Sequence, residues 1–138
     1  IKCKFSNIEV EQSCSIDDQG LPEGFASGVA DIKCIFNNKI LLFEPTTSNG
    51  TQQHFMESAA IQRHLMDEIE KNSPNFNIST FLLAPKIAYD SQLQADHVKK
   101  YGAKRRKNTY KSLNVNCIDV ESFINKLNSI DDINEFCA

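Results

Sequence analysis

The fold of this chain is most constrained by a predicted β-hairpin within residues 28–50. Mainly apolar segments flank the pair Asn37-Asn38, which tolerates the positive φ that a tight turn requires. A turn closed at this pair would place Asp31, at the start of one strand, across from Glu44, at the end of the other. The hairpin therefore predicts two carboxylates at the same edge of a sheet.

Paired carboxylates at a sheet edge are candidate metal ligands. Asp31 and Glu44 would hold a hard divalent cation such as Mg²⁺ through their oxygen atoms. Thr46 lies on the same side of its strand as Glu44, because side chains alternate between the two faces. The alternative interpretation is that both acids are only solvated at strand ends, since this spacing occurs by chance in many chains.

The length and composition predict one soluble domain. The 138 residues, 41 % of them hydrophobic, suffice for a single core, so we expect one domain over residues 1–138. The sequence contains neither a membrane-spanning apolar run nor a signal peptide, and we therefore expect a cytoplasmic protein without a membrane partner. Because the chain does not begin with Met, we expect a fragment or a subunit of a larger protein.

A local excess of positive charge is hidden by the net charge of −3. The basic segment, residues 99–107, contains Lys99-Lys100 and four consecutive cations from Lys104 to Lys107. Such a cluster is either a solvated surface loop or a site that binds phosphate groups. The sequence alone leaves both interpretations open.

A long amphipathic helix is predicted for residues 52–71. Arg63 is expected on or near its apolar stripe, where a charge needs a partner such as the carboxylates above or a phosphate group. The stripe is formed by residues at helical spacing, namely Phe55, Met56, Ala59, Ala60, Met66 and Ile69.

The remaining elements complete an α/β pattern. Their order, strand, hairpin, helix, strand, helix, strand and helix, predicts an α/β sandwich with a mixed sheet. Leu93 and Val98 are expected to face the core. We expect a strand within 1–10, a loop over 12–28, a buried strand over 78–84, a helix within 87–101, a strand over 113–118, a helix over 120–127 capped by Asp119, and a short helix over 130–137.

An ordered series of segments carries a resemblance to a known family. The segments are GVADIKCIF, ILLFEPTTSNGTQQ, IQRHL, FLLAPKI and NVNCIDVESFINKL, which together span about residues 24–127. They resemble the catalytic domain of restriction and nicking endonucleases of the PD-(D/E)XK superfamily, within the type IIS group that includes the AlwI-like family. The resemblance implies a restriction-endonuclease-like three-layer sandwich, in which helices flank a mixed central β-sheet.

The resemblance also implies roles for the residues of the hairpin. Asp31 resembles the first metal-binding acid and Glu44 the second, and Thr46 stands where the superfamily usually has a catalytic lysine. The backbone carbonyl of Pro45 would be a further metal ligand. The implied cofactor is Mg²⁺, which Mn²⁺ could replace. A nearby cation, Arg63 or Lys33, or a second metal ion would supply the charge that the missing lysine brings.

Four helix residues match the family pattern that follows the active site. Gln53 and Arg63 are expected to contact nucleic acid, whereas Glu57 and His64 are expected to support the site. These assignments rest on the resemblance alone.

The implied activity is hydrolysis of DNA phosphodiester bonds by a type IIS restriction or nicking enzyme, and the implied substrate is double-stranded DNA. Lys104, Arg105 and Arg106 would then bind its phosphates. The sequence contains no helix-turn-helix or zinc-finger pattern. We therefore expect the target to be read by a second nuclease subunit or a separate recognition domain.

Two alternatives remain open. The chain could be a catalytically inactive module of nuclease fold that binds DNA or assists assembly, which the neutral Thr46 and the proline before it favour. It could also be a small protein-interaction domain without a nucleic-acid partner, in which case the basic segment would not contribute to binding.

Overall fold

The computed structural model describes residues 5, 7–16, 18–19, 22–25, 30–47, 50–72 and 74–137. For residues 14–16, 22–25, 50–58 and 137 it describes the backbone alone. The elements are β1 (Glu9–Gln12), β2 (Cys14–Ile16), β3 (Pro22–Phe25), β4 (Ile32–Phe36), β5 (Lys39–Pro45), α1 (Gly50–Asn72), β6 (Asn77–Ala84), α2 (Tyr89–Tyr101), β7 (Ala103–Arg105), β8 (Asn108–Tyr110), β9 (Val115–Asp119), α3 (Val120–Ser129) and a final 3₁₀ turn (Ile133–Cys137).

A mixed sheet forms the centre of the fold. Its strand order is β1-β4-β5-β6-β9, with antiparallel pairing from β1 to β5 and parallel pairing from β5 to β9. Parallel strands need a crossover connection, and α1 and α2 supply the two crossovers. The strand β6 lies inside the sheet and is buried along nearly its whole length, as predicted.

The side chains of the sheet alternate between two apolar layers. Leu42 and Leu82 face α1 and α2, where they pack with Leu65 and Val98. The other face carries residues such as Phe43, which pack with Phe123 of α3 and with Phe136 of the 3₁₀ turn. Helices therefore cover both faces of the sheet, and the predicted three-layer α/β sandwich is confirmed.

The β4–β5 hairpin is confirmed with its turn at Asn37-Asn38. The register runs from Phe36 opposite Lys39 at the turn to Ile32 opposite Phe43 at the open end. Asn37 has a φ of 51°, a left-handed conformation that asparagine tolerates better than most residues.

The turn gives a testable stability difference. Asn37→Ala is expected to lower the free energy of unfolding by about 1 kcal/mol, because alanine lacks the local stabilisation of the left-handed conformation. Asn37→Gly should leave that free energy unchanged or raise it. Urea unfolding of the two variants checks the order, and equal stability of both would contradict it.

The structure corrects part of the predicted inward face of α1. Met66 is buried and Ile69 packs against the core as predicted, whereas the side chains of Phe55 and Met56 lie outside the described residues. Arg63 and Ala59 are exposed, and the buried positions are Ile61, Leu65 and Met66. The apolar residues of this helix permit two neighbouring stripes, and the contact with β5 and β6 selects the one that contains Leu65. Arg63 is therefore not a buried charge that requires a partner.

Four further predictions are corrected. Leu93 is 49 % exposed, although Val98 is buried as expected. The segment 12–28 is not only a loop, because β2 and β3 pair within it. The loop interpretation of the basic segment is also corrected, since its first residues end α2 and the others lie in the β7–β8 hairpin. The predicted last helix is limited to a 3₁₀ turn that begins at Ile133.

The predicted cap of α3 is confirmed. Asp119 accepts a hydrogen bond from the Ser122 amide at 2.8 Å.

Candidate active site at the open end of the hairpin

The register of the hairpin brings Asp31 and Glu44 to opposite strands at the same edge. Ile32 pairs with Phe43, so the next residues outward on the two chains are Asp31 and Glu44. Glu44 is buried on the same face as Leu42, towards α1. Continuing the alternation of β4 from Lys33, whose ammonium group contacts α1, assigns Asp31 to that face as well.

Glu44 is bound by a histidine of α1. His64 Nδ1 lies 2.6 Å from Glu44 Oε1, and the two side chains are only 14 % and 7 % exposed. The hydrogen bond to Glu44 raises the pKa of His64 above its ordinary value, against the opposing effect of burial, and the negative charges of Glu44 and Asp31 act in the same direction. His64 and the two acids therefore form one electrostatic cluster.

The backbone after Glu44 is arranged by β6. The Thr46 amide donates to the Leu83 carbonyl at 2.8 Å. Because successive peptide groups alternate in direction along a strand, the nitrogen and carbonyl of Pro45 point away from β6. On that side the pairing with β4 ends where Ile32 lies opposite Phe43, so no strand needs the N–H group that Pro45 lacks. A proline is therefore compatible with the end of β5.

The cations suggested near the site have different surroundings. Lys33 Nζ forms an ion pair with Glu68 at 3.0 Å, and Asn72 donates to the same carboxylate at 2.8 Å. Arg63 is exposed and directly precedes His64 in the chain, and its charge lowers the pKa of His64. Arg63 is thus the cation among the two that is accessible to a ligand.

The predicted nucleic-acid contacts of the basic segment are split between two environments. Lys104 and Arg106 are exposed. Arg105 instead donates from Nη2 to Asp67 Oδ1 at 2.6 Å and to Glu70 Oε2 at 3.4 Å, both on α1. These acceptors were not predicted, because they lie 38 and 35 residues before Arg105 in the sequence.

Two predicted residues cannot be placed. Gln53 and Glu57 lie in the first half of α1, and their side chains are outside the described residues. Among the side chains that are described, no group of three or more His, Cys, Asp or Glu is arranged to hold a metal ion. Asp31, Glu44 and the Pro45 carbonyl stay the ligands that the sequence predicts.

Comparison with known families decides the relationship. The family described as AlwI restriction endonuclease matches residues 2–125, most of the chain. The chain belongs to the AlwI restriction endonuclease family. The match includes both acids and the whole of α1, so the cluster lies within the part shared with this family. A search of curated proteins gives no significant match.

A solved structure supports the fold of this AlwI-family chain. The small subunit (R.BspD6I2) of the heterodimeric restriction endonuclease R.BspD6I superposes with a TM-score of 0.78 at 21 % sequence identity. The alignment covers 99 % of this chain and 69 % of that subunit. The described part of the chain contains no helix long and apolar enough to cross a membrane.

Proposed function

We propose that this AlwI-family chain is a Mg²⁺-dependent endodeoxyribonuclease domain of a type IIS restriction or nicking enzyme, and that Asp31 and Glu44 form its catalytic centre. The observation that carries the proposal is the buried Glu44, which is fixed by His64 and lies, like Asp31 on the other chain segment, one residue beyond the last pair of the hairpin. A buried carboxylate is costly unless it is paired or binds a cation. Its position within the family match supports a catalytic role.

The donor atoms suit a hard divalent cation. Two carboxylates and a backbone carbonyl that points away from β6 provide the oxygen ligands that Mg²⁺ prefers, and Mn²⁺ accepts the same set. When bound, such an ion polarises the scissile phosphate and lowers the pKa of a coordinated water. Asp31, Glu44 and the Pro45 carbonyl are the proposed ligands.

The other residues would orient these groups. His64 holds one oxygen of Glu44 by the hydrogen bond at 2.6 Å, which leaves the second oxygen for a ligand. Thr46 can orient a water molecule through its hydroxyl but brings no positive charge. Arg63, exposed beside His64, is the proposed source of positive charge towards the phosphate of DNA. Gln53 and Glu57 keep their proposed roles in DNA contact and support of the site.

A second polypeptide completes the proposal. The structural neighbour is a subunit of a heterodimeric enzyme. We infer that this chain likewise acts with a second nuclease subunit or a recognition domain, because one such catalytic centre cuts one strand. The alternative function, an inactive DNA-binding or assembly module, is favoured by the neutral Thr46 in place of lysine.

A plasmid-nicking assay tests the proposal. The wild type is expected to convert supercoiled DNA to the open circular form with Mg²⁺ or Mn²⁺ and not with EDTA. Asp31→Asn should reduce the rate by about a hundredfold or more, since a metal ligand stabilises the transition state by several kcal/mol. Asp96→Asn, which changes an exposed acid on α2, is the matched control and should keep the wild-type rate.

The outcomes separate the two candidate functions. Binding of DNA without nicking by the wild type, in the presence of its partner subunit, would support the inactive module. Nicking that survives in Asp31→Asn would exclude this residue from the catalytic centre.

A further inference from the structure

Positive charge is concentrated in one stretch of the chain. Residues 97–118 contain seven Lys or Arg and no Asp or Glu, whereas the rest of the chain has eight basic residues against eighteen acidic ones. A segment of this kind on an acidic protein is suited to a polyanionic partner. The β7–β8 hairpin, residues 103–110, lies in the middle of it.

The hairpin is fixed to α1 by a polar cluster around Glu70, with contacts both beside its turn, at Arg105 and Asn108, and at its base, at Tyr110. Arg105 donates to Asp67 and Glu70, and Asn108 Nδ2 donates to Glu70 Oε1 at 3.0 Å. The Tyr110 hydroxyl donates to the same oxygen. The hairpin is thus anchored by side chains from both of its strands, and Arg105 serves as an anchor within the protein.

The start of the hairpin is equally constrained. Gly102 has a φ of 71°, and a Cβ atom built there would lie 1.8 Å from the Tyr110 carbonyl oxygen. Only glycine permits this close approach of the two strand ends. The hairpin therefore leaves α2 in one defined direction.

The turn of the hairpin carries exposed cations, and one of them has an unfavourable backbone conformation. Arg106 occupies the left-handed region with a φ of 55°, where glycine or asparagine would be preferred, and its side chain is exposed. Lys104 and Lys107 beside it are exposed as well. An arginine in a backbone conformation that is unfavourable for it indicates a functional role for its side chain.

The hairpin lies on the same side of α1 as the proposed DNA contact Arg63. Arg63, Asp67 and Glu70 follow at spacings of four and three, which places them on one helix face. Along α1, Glu70 at the anchor of the hairpin lies about 9 Å from His64 at the candidate site, at a rise of about 1.5 Å per residue. This distance corresponds to roughly three base pairs at about 3.4 Å per base pair.

We propose that the β7–β8 hairpin is a preformed arm that binds the phosphate backbone of DNA away from the scissile bond, with Lys104, Arg106 and Lys107 as its contacts and Arg105 as its anchor. The proposal rests on the proposed function for the identity of the polyanion. An acidic protein surface could use the same charges, and the test includes that outcome.

Salt-dependent binding tests the arm. Affinity for a labelled duplex is measured by fluorescence anisotropy without divalent metal, from about 50 to about 200 mM salt. Each lost phosphate contact should reduce the slope of log affinity against log salt by about 0.9. Arg106→Gly is expected to show one such reduction, and the triple change of Lys104, Arg106 and Lys107 to glutamine about three.

Thermal stability distinguishes a residue that contacts DNA from a residue that anchors the hairpin. Arg106→Gly relieves the left-handed strain, so its melting temperature should be unchanged or higher while its DNA affinity falls. Arg105→Gln should lower the melting temperature, because Asp67 and Glu70 lose their shared cation. Asn37→Gly is the matched control, since it relieves the same kind of backbone strain in the β4–β5 hairpin. It should leave the salt slope unchanged.

A salt slope in the triple variant that equals the slope of the wild type would overturn the proposal. Loss of binding to the partner subunit in that variant, with DNA binding intact, would assign the arm to a protein surface and would also overturn the proposal. Failure of the nuclease function is distinguishable, because the binding assay contains no divalent metal and gives a slope whether or not the protein nicks DNA.

Discussion

Glu44→Gln is expected to reduce DNA nicking by about a hundredfold or more and to lower the pKa of His64 towards its ordinary value. The amide keeps the size of the side chain but removes the negative charge that is proposed to hold Mg²⁺. The hydrogen bond to Glu44 is the largest cause of the raised pKa of His64, and the Glu44 charge acts in the same direction. Removal of both effects leaves burial and the charge of Arg63, which lower the pKa of His64, against the charge of Asp31, which raises it.

Two measurements check this prediction. Nicking of supercoiled DNA gives the rate, and an NMR titration of the His64 ring protons in metal-free protein gives the pKa. His64 in the wild type should stay protonated to a higher pH than in Glu44→Gln. Glu121→Gln, at an exposed position of α3 in the opposite layer, should change neither quantity. Full nicking activity in Glu44→Gln would remove Glu44 from the catalytic centre.

Phe43→Ala is expected to lower the free energy of unfolding by about 3 to 5 kcal/mol. Phe43 is 1 % exposed. Its ring lies 5.5 Å from that of Phe81, 5.4 Å from that of Phe123 and 5.9 Å from that of Phe136. These rings link β5, β6, α3 and the 3₁₀ turn, so truncation leaves a cavity that rigid neighbours cannot fill.

Urea unfolding measures this loss. Ile124→Ala, at a position 50 % exposed on α3, is the control and should cost less than about 0.5 kcal/mol. A loss below about 1 kcal/mol in Phe43→Ala would show that the layer repacks around the missing ring. Because Phe43 and Glu44 point to opposite faces of β5, nicking by the folded fraction should be reduced less than in Glu44→Gln.

The sequence predicted the features that depend on near neighbours along the chain. The turn at Asn37-Asn38, the long helix α1 and the buried strand β6 follow from turn chemistry and from hydrophobic periodicity. The placement of Asp31 and Glu44 just beyond the last pair, Ile32 and Phe43, follows from the same hairpin, because a two-residue turn fixes the register. The family was recognisable from the order of its segments.

Tertiary packing decided which helix face is buried and which charges are paired. Arg63 lies close in angle to the apolar stripe of α1, and only the contact of Leu65 with the sheet turns it outwards. Arg105 is separated from Asp67 by 38 residues, so no local pattern could predict that its charge is bound within the protein. The physical reason is that periodicity and turns are set by adjacent residues, whereas burial and ion pairing depend on which distant elements meet.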